Sequence, residues 1–465
     1  MFTRRSLLQS TASGFGYLAF AALAHEQAAR ANPGGNAANP LAPKAPHFPA
    51  TAKRVIFLCM EGGPSHVDTF DYKPKLIADD GKPYSKGRLA GAKLLAPLWK
   101  YKQHGKSGLW ISELFPEVAK QADDLCLLNG MQTDLPAHPQ AFLQMHCGIF
   151  QFPRPSLGAW VLYGLGTENA NLPGFISLGP PTNNGGPANF GSSFLPAMYQ
   201  GTKIGANRGP FAGPGGGDAA TQMSNLKNPR RSADAQRVQL DFVQSLNRTA
   251  LENGGDTTGI EGMIESYELA FRMQAELPKL MDLSKETKET QELYGIGAQG
   301  GFGRQCLLAR RFVEAGVRFV EVTFPAWDHH TNLKDALERN CMAVDKPIAG
   351  LLADLKRRDL LKDTLVVWGG EFGRTPTAQN GNGRDHNNKG YTIWMAGGGV
   401  KGGFRYGATD DYGFEAIDGR MHIHDWHATL LHLLGLNHEK LTYRHAGRDM
   451  RLTDVKGTVV KEIMA

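Results

Sequence analysis

Residues Leu365–Tyr391 read LVVWGGEFGRTPTAQNGNGRDHNNKGY. The stretch begins as an apolar run rich in β-branched residues and breaks at two glycines. This order is expected where a buried parallel strand ends and the loop beyond its carboxyl end carries a site. Four side chains with useful chemistry follow the glycines: Glu371, Arg374, Asp385 and His386.

Composition and charge limit the class of protein. The chain has 465 residues, of which 41% are apolar and 21% charged, and it can bury a large core. The net charge is +6, with Lys and Arg scattered along the chain, so we do not expect nucleic acid as a partner. The five cysteines include no CxxC pair, which argues against a zinc knuckle or a disulfide scaffold.

The N-terminus predicts export. Residues 3–8 (TRRSLL) form a twin-arginine pattern, an apolar segment follows, and Ala29-Arg30-Ala31 offers a cleavage site. We therefore predict a signal peptide at residues 1–31, a flexible linker at 32–53 and a periplasmic or secreted protein. The apolar segment is too short for a confident membrane span, so no span is expected after the signal is removed.

Three further apolar runs also end in polar residues. They cover residues 54–60, 125–129 and 317–324. A helical pattern at residues 341–358 joins the last of these runs to the strand that starts near Leu365, as in a βαβ unit. The two strands should therefore end at the same edge of a parallel sheet. The polar residues beyond the three runs include Glu61, Asp68, Thr133, His138, Asp328 and His330.

These strand ends predict a divalent metal site. Carboxylates and imidazoles with almost no thiol suit zinc, manganese, iron or calcium. Asp328 and His330 lie on one side of an extended segment, since strand side chains alternate. Arg374 could bind an oxyanion or pair with a carboxylate. His424 and His427 begin a helical pattern, for which we predict a structural role.

The secondary structure of the remaining chain is predicted from its composition and from the spacing of its apolar residues. Residues 173–217 are rich in Pro, Gly and Asn, and together with two helical patterns at 230–251 and 260–283 they predict an insertion at about 173–283 that borders the site. Helical patterns also cover residues 114–121, 302–315 and 424–436.

Several phrases of the sequence together carry a family resemblance. They include GGPSHVDTFD (62–71), AWDHHTNL (326–333), GGEFGRTP (369–376), GRDHNNKGY (383–391) and YRHAGRDMRLTDV (443–455). Over residues 54–460 the chain resembles the twin-arginine-exported proteins grouped as domain of unknown function family 1501. More widely, it resembles the alkaline phosphatase and sulfatase superfamily.

The resemblance implies a fold and a set of site residues. The fold would be an α/β, alkaline-phosphatase-like three-layer sandwich with a mostly parallel central sheet and a loop-rich, helical cap insertion. His138 would stand near the place of the nucleophile, with Thr133 as the hydroxyl close to it. Phe372 stands where sulfatases have a histidine, and their C/S-x-P-x-R pentad does not occur in the sequence. The expected metal ligands are Asp328, His330, Glu371 and His386, together with Asp385 and with Glu61 or Asp68 as the acid after the first strand.

Two functions remain open at this point. The first is a metal-dependent hydrolase of phosphate or sulfate esters, small molecules or polysaccharides, that uses zinc, manganese or calcium. His138 would then be a ligand or general base, and Arg374 would stabilise the oxyanion. The second is a non-catalytic binding protein of the periplasm or cell surface on the same fold.

Overall fold

The computed structural model describes residues 40–85, 87–181, 183–205, 231–252, 257–297 and 301–465. The predicted signal peptide at residues 1–31 and the first part of the predicted linker lie outside these residues. Within them, no helix has the length and the apolar character needed to cross a membrane.

Seventeen strands are formed by the described residues. In chain order they are β1 Arg54–Met60, β2 Tyr101–His104, β3 Leu109–Ser112, β4 Leu125–Gln132, β5 Phe175–Leu178, β6 Thr202–Ile204, β7 Phe319–Phe324, β8 Thr364–Gly369, β9 Gly373–Gln379, β10 Gly383–Asn387, β11 Tyr391–Ala396, β12 Phe404–Tyr406, β13 Ala408–Thr409, β14 Ala416–Asp418, β15 Met421–His422, β16 Tyr443–His445 and β17 Arg448–Met450.

Ten α-helices are formed within the described residues. They are α1 His66–Thr69, α2 Pro74–Ala78, α3 His138–Cys147, α4 Leu157–Leu165, α5 Ala233–Glu252, α6 Thr257–Met281, α7 Lys288–Leu293, α8 Gly301–Glu314, α9 Leu333–Arg357 and α10 Ile423–Leu433.

A nine-stranded sheet organises the fold, with the order β12-β4-β11-β8-β1-β7-β5-β6 and β15 paired to β4. Strand β1 is parallel to both β7 and β8. Strand β11 runs antiparallel to β8 and β4, and the remaining pairs in the sheet are parallel. The predicted parallel arrangement of the strands ending at Phe324 and Gly369 is confirmed.

Both faces of this sheet are covered, which explains why β1 is apolar at every position after Arg54. Ile56 and Leu58 face a core that includes side chains of α8 and α9. Val55 and Phe57 face a second core formed with α3, α4 and α10. The two cores give three layers, helices on both sides of a mostly parallel sheet, as predicted.

The structure corrects several local predictions. Residues 118–124 form 3₁₀ turns with a kink at Gln121, where a helical pattern was predicted for 114–121. Helix α9 starts at Leu333, eight residues before the predicted start. The stretch after Gly369, expected to be a loop, contains the antiparallel hairpin of β9 and β10. Asn380-Gly381 at its turn is a typical hairpin signal that could have identified it.

The insertion predicted at about 173–283 is partly integrated into the central sheet. Its strands β5 and β6 extend the sheet beyond β7. Its helix α5 packs against α6, and Arg237 of α5 forms an ion pair with Glu268 of α6. Helix α6 also packs against the main core through Met273 and Leu277. The boundaries of the insertion stay a prediction.

Helix α10 contains a buried histidine that should make stability sensitive to acid. His427 is fully buried, its Nε2–H donates to the Met145 carbonyl oxygen at 2.8 Å, and its Nδ1 has no hydrogen-bond partner. Burial lowers the pKa of His427 to about 3. A second proton would therefore place an uncompensated charge in the core.

We expect wild-type stability to fall as the pH drops below about 6.5. In this range His427 becomes protonated in the unfolded chain but stays neutral in the folded one. His427→Gln should flatten this dependence by up to about 1.4 kcal/mol per pH unit between about pH 6.5 and 4. Urea unfolding of both proteins across this range measures the slope. The exposed His47 offers the matched control His47→Gln, which should leave the slope unchanged. Equal slopes for wild type and His427→Gln would contradict the prediction.

Candidate metal centre

Four side chains meet at the carboxyl edge of the central sheet. His138, Asp328, His330 and His386 each offer one ligand atom, and these atoms lie within 4.8 Å of one another. His138 starts the helix after β4, Asp328 and His330 follow β7, and His386 lies on β10. Parallel strands that end at one edge place these distant parts of the chain side by side.

The three histidines are oriented so that their Nε2 atoms converge. Each Nδ1 faces an oxygen, to which it donates a hydrogen bond, and this fixes the ring and leaves Nε2 for a ligand. The pairs are His138 Nδ1 with Glu371 Oε1 at 2.6 Å, His330 Nδ1 with Gln379 Oε1 at 2.5 Å, and His386 Nδ1 with the Pro136 carbonyl oxygen at 2.8 Å. Neither Gln379 nor Pro136 was predicted to lie at the site, since neither belongs to a motif.

Asp328 lies at the centre of this group. Its Oδ1 is 2.9 Å from His330 Nε2, 3.1 Å from His138 Nε2 and 3.2 Å from His386 Nε2. Burial alone would raise the pKa of Asp328, but hydrogen bonds from His138 and His386 and the charge of Arg374 hold it far below the usual range. The carboxylate is thus ionised, as an oxygen ligand for a cation must be.

Glu371 is not one of the four residues of the cluster. It contacts His138 on the side of the ring that faces away from the cluster. Its side chain is fully buried, accepts the Gly62 N–H at 3.1 Å and contacts His138 Nδ1. Burial opposes a charge on His138, yet hydrogen bonds to Asp328 and Glu371 outweigh it and raise the pKa of His138 to about 9. A carboxylate behind a histidine is the usual means of orienting a metal-binding imidazole.

Replacing Glu371 by Gln should therefore weaken metal binding about 10- to 100-fold without removing a ligand. The amide keeps an oxygen for the Gly62 N–H but no longer provides a negative charge behind His138. Competition titration against a chelating dye measures the affinity. The exposed Glu439 provides the control Glu439→Gln, which should bind like wild type. An unchanged affinity in Glu371→Gln would show that the carboxylate does not support the site.

Phe372 contributes to the site by packing. Its buried ring lies 4.8 Å from that of His138 and 4.6 Å from that of His386, measured between centroids. The residue that stands in place of a sulfatase histidine thus forms an apolar wall behind two imidazoles. Gly63 must lack a side chain, because a Cβ there would lie 2.8 Å from the Phe372 ring and its φ is +71°.

Arg374, for which an oxyanion role or a carboxylate partner was predicted, contacts oxygen atoms of the protein. The guanidinium is buried and donates to the carbonyl oxygens of Gly62, Gly63 and Arg384 and to Asp328 Oδ1, the last at 2.6 Å. Through these hydrogen bonds, Arg374 connects the loop that follows β1 to Asp328. The pairing alternative, in which Arg374 meets a carboxylate, matches the structure.

Asp68 also has a structural partner. It accepts hydrogen bonds from Arg384 Nε at 2.7 Å and from Ser65 Oγ at 2.5 Å, and both Asp68 and Arg384 are fully buried. This pair joins helix α1 to the hairpin strand that carries His386. Asp68 therefore acts as a partner of Arg384 and lies outside the four-residue cluster.

The other predicted site residues lie around the cluster. Asp385 is partly exposed, with its Oδ2 4.0 Å from Arg88 Nη1. Glu61 accepts from Asn184 Nδ2 at 2.8 Å, and burial together with the nearby Glu371 raises the pKa of Glu61 to about 7. Thr133 is buried, and its hydroxyl donates to the Gln144 side-chain oxygen at 2.8 Å. None of these three residues belongs to the four-residue group.

The solved structures that resemble this chain include a sulfatase, a phosphonate monoester hydrolase and a lipoteichoic acid synthase. A sulfatase from Pseudoalteromonas sp. is 14% identical, with a TM-score of 0.34 and coverage of 84% of this chain and 68% of that chain. The phosphonate monoester hydrolase of Silicibacter pomeroyi is 10% identical, with a TM-score of 0.35 and coverage of 82% and 73%. The lipoteichoic acid synthase LtaP from Listeria monocytogenes is 8% identical, with a TM-score of 0.36 and coverage of 90% and 79%. At these TM-scores the likeness carries no argument about what this chain does.

Sequence comparison gives a more definite result. Among curated proteins, no sequence matches the chain. A family model covers residues 52–464, nearly the whole of the described chain. The protein therefore belongs to the family described as Protein of unknown function (DUF1501), which is the family that its motifs predicted.

Proposed function

We propose that the protein is an exported, metal-dependent hydrolase of phosphate or sulfate esters. The observation that carries this proposal is the convergence of three histidine Nε2 atoms on Asp328, with every Nδ1 held by an oxygen acceptor. The proposal of export rests on the twin-arginine pattern near the N-terminus.

The donor set fits a divalent transition metal or zinc. Three imidazole nitrogens and one carboxylate favour zinc or manganese over calcium, which prefers oxygen ligands. A dication with neutral imidazoles and one carboxylate leaves a charge of +1, which would attract an anionic ester. The bound metal would polarise the ester oxygen and lower the pKa of a water molecule.

The hydroxyl groups near the site are hydrogen-bonded to other side chains. This favours attack on the ester by water over attack by a protein hydroxyl. The Thr133 hydroxyl donates to Gln144 and that of Ser65 donates to Asp68. Both protons are thus engaged, and neither oxygen belongs to the metal cluster. Because the sulfatase pentad is also absent from the sequence, we propose that hydrolysis proceeds without a covalent intermediate on the protein.

Arg88 is the candidate for binding the substrate anion, a role that Arg374 cannot fill. Its side chain is 56% exposed, its Nη2 is 3.4 Å from the His386 carbonyl oxygen, and its Nη1 lies 4.0 Å from Asp385. The guanidinium therefore stands beside a metal-binding histidine with donors still open to solvent, where it could hold an oxyanion in a bidentate manner.

We expect Arg88→Met to raise KM about 10-fold or more with a smaller change in kcat, because an exposed cation mainly binds the ground state of the substrate. Steady-state kinetics on the best substrate measures both constants. Lys362 lies just before the opposite end of β8 and is equally exposed, so Lys362→Met is the matched control and should leave KM unchanged. An unaltered KM in Arg88→Met would exclude the role.

A metal and substrate survey tests the function itself. The full chain, purified without chelator, is analysed for bound metal and assayed with aryl phosphate, phosphodiester and aryl sulfate substrates. We expect a stoichiometric transition metal or zinc, and turnover that a chelator abolishes and the metal restores. A protein that takes up neither zinc nor manganese would overturn the proposal. Bound metal without turnover of any ester would favour the alternative, a non-catalytic binding protein.

A further inference from the structure

A second group of ligand-type side chains lies inside the core, beneath the central sheet. Cys59 on β1, Glu321 on β7 and His146 on α3 place Sγ, a carboxylate oxygen and a ring nitrogen within 4.8 Å of one another. All three residues are buried. They do not overlap with the four residues of the candidate metal centre, and the proposed reaction makes no use of them.

The strand register explains why these side chains meet. Phe57 pairs with Glu321 in the parallel β1–β7 ladder. Since residues two apart share a face, Cys59 points to the same side as Phe57, and therefore to the same side as Glu321. Helix α3 covers this face and brings His146 in its last turn. The rings of Phe57 and Phe142 lie 5.9 and 4.6 Å from the ring of His146, measured between centroids.

Glu321 is only weakly paired within the protein. Burying a carboxylate costs several kcal/mol unless charge and hydrogen bonds compensate it. Thr323 donates to Oε1 at a long 3.3 Å, whereas Oε2 lies 3.2 Å from His146 Nε2 without the geometry of a hydrogen bond. The Ser177 hydroxyl, on the strand position paired with Glu321, also has no hydrogen-bond partner. Glu321 and His146 are thus held together by one ion-pair contact, and the Ser177 hydroxyl on the neighbouring strand position has no hydrogen bond.

The histidine is oriented as a ligand would be. His146 Nδ1 donates to the Phe142 carbonyl oxygen at 2.8 Å, one turn earlier in α3. This hydrogen bond fixes the tautomer and directs the Nε2 lone pair toward Glu321. A backbone carbonyl behind Nδ1 is the arrangement commonly found for metal-binding histidines.

We propose that Cys59, His146 and Glu321 bind a zinc ion that is separate from the candidate catalytic metal. A thiolate and a carboxylate neutralise a dication, a neutral imidazole adds the third ligand, and Ser177 offers an oxygen for a fourth. Zinc ligands are roughly 3.3–3.8 Å apart when the metal bonds are about 2.0–2.3 Å long. The three ligand atoms lie within 4.8 Å of one another, so binding zinc requires a contraction of at most about 1.5 Å.

The ion would connect α3 to the sheet. His146 lies in the last turn of the helix that His138 begins, so the two sites are joined by one rigid element about 12 Å long. Anchoring the C-terminal end of α3 would hold its N-terminal histidine in position. The alternative to zinc is a proton on His146 Nε2. The protonated ring would then pair with Glu321, and no metal would bind.

Cobalt(II) distinguishes the two sites, because among the described residues only the buried group contains sulfur within reach of the other ligands. The full chain is expressed in zinc-depleted medium supplemented with cobalt, and its absorption is recorded. We expect a thiolate-to-cobalt charge-transfer band in the near ultraviolet. The band should persist in His386→Ala and disappear in Cys59→Ala, which should also bind one equivalent less cobalt than wild type.

Cys126 provides the matched control. It is equally buried and belongs to the same core, so Cys126→Ala should keep the band. If Cys59→Ala does not fold, X-ray absorption on zinc-loaded wild type decides instead, with sulfur expected at about 2.3 Å from part of the zinc. A cobalt protein without the band, a band that survives Cys59→Ala, or zinc bound only by nitrogen and oxygen would overturn the proposal.

Discussion

Replacing Asp328 with Asn is expected to abolish metal binding at the sheet edge and to reduce ester hydrolysis by about 10³-fold or more. The Asp328 carboxylate contacts the Nε2 atoms of His138, His330 and His386, as well as the buried Arg374 guanidinium. An amide retains the shape but not the negative charge. The variant would therefore lose a ligand and leave Arg374 beside the site without its counter-ion.

Metal content and kcat/KM of the purified variant measure this effect, and circular dichroism verifies that it is folded. Asp335 provides the control, because it is an exposed aspartate in the first turn of the helix that follows. Asp335→Asn should bind metal and turn over substrate like wild type. Normal metal content in Asp328→Asn would show that the four-residue cluster is not a metal site.

The second large effect is expected on stability. Asp68→Asn should lower the free energy of unfolding by about 3–5 kcal/mol, because it removes one charge of a buried ion pair. Arg384 donates to Asp68 from Nε and Nη2, and both side chains are fully buried. Without the carboxylate, the guanidinium would remain in the core with an uncompensated charge. Arg384 immediately precedes Asp385 and His386, so the loss should also disturb the metal cluster.

Urea unfolding followed by fluorescence measures this change, since the transition midpoint shifts while the dependence on urea stays constant. The exposed pair of Lys75 and Asp411 provides the control. Lys75→Ala should leave the stability close to that of wild type, since an exposed ion pair contributes little. A loss below about 1 kcal/mol in Asp68→Asn would mean that the buried pair is not required for the fold.

Much of the fold was predictable from hydrophobic patterns. Strand β1 was predicted with its observed bounds, and the ends of β7 and β8 were placed at one edge because a helix joins them. Glycines after both β1 and β8 marked the turns into the site. The hairpin of β9 and β10 was missed, since its buried arginine and threonine side chains gave no apolar alternation.

The sequence alone determined that histidines and carboxylates follow the ends of predicted strands, because an apolar run and the polar residues after it are neighbours in the chain. Only the tertiary structure decided how these residues are used. His138, Asp328, His330 and His386 converge, whereas Glu371 lies behind His138, and Arg374 and Asp68 are committed to buried partners. A carboxylate or a guanidinium reads the same in a sequence whether it faces a ligand or another buried charge. Its role depends on which distant side chains lie within hydrogen-bond distance, and that is fixed by packing across the sheet.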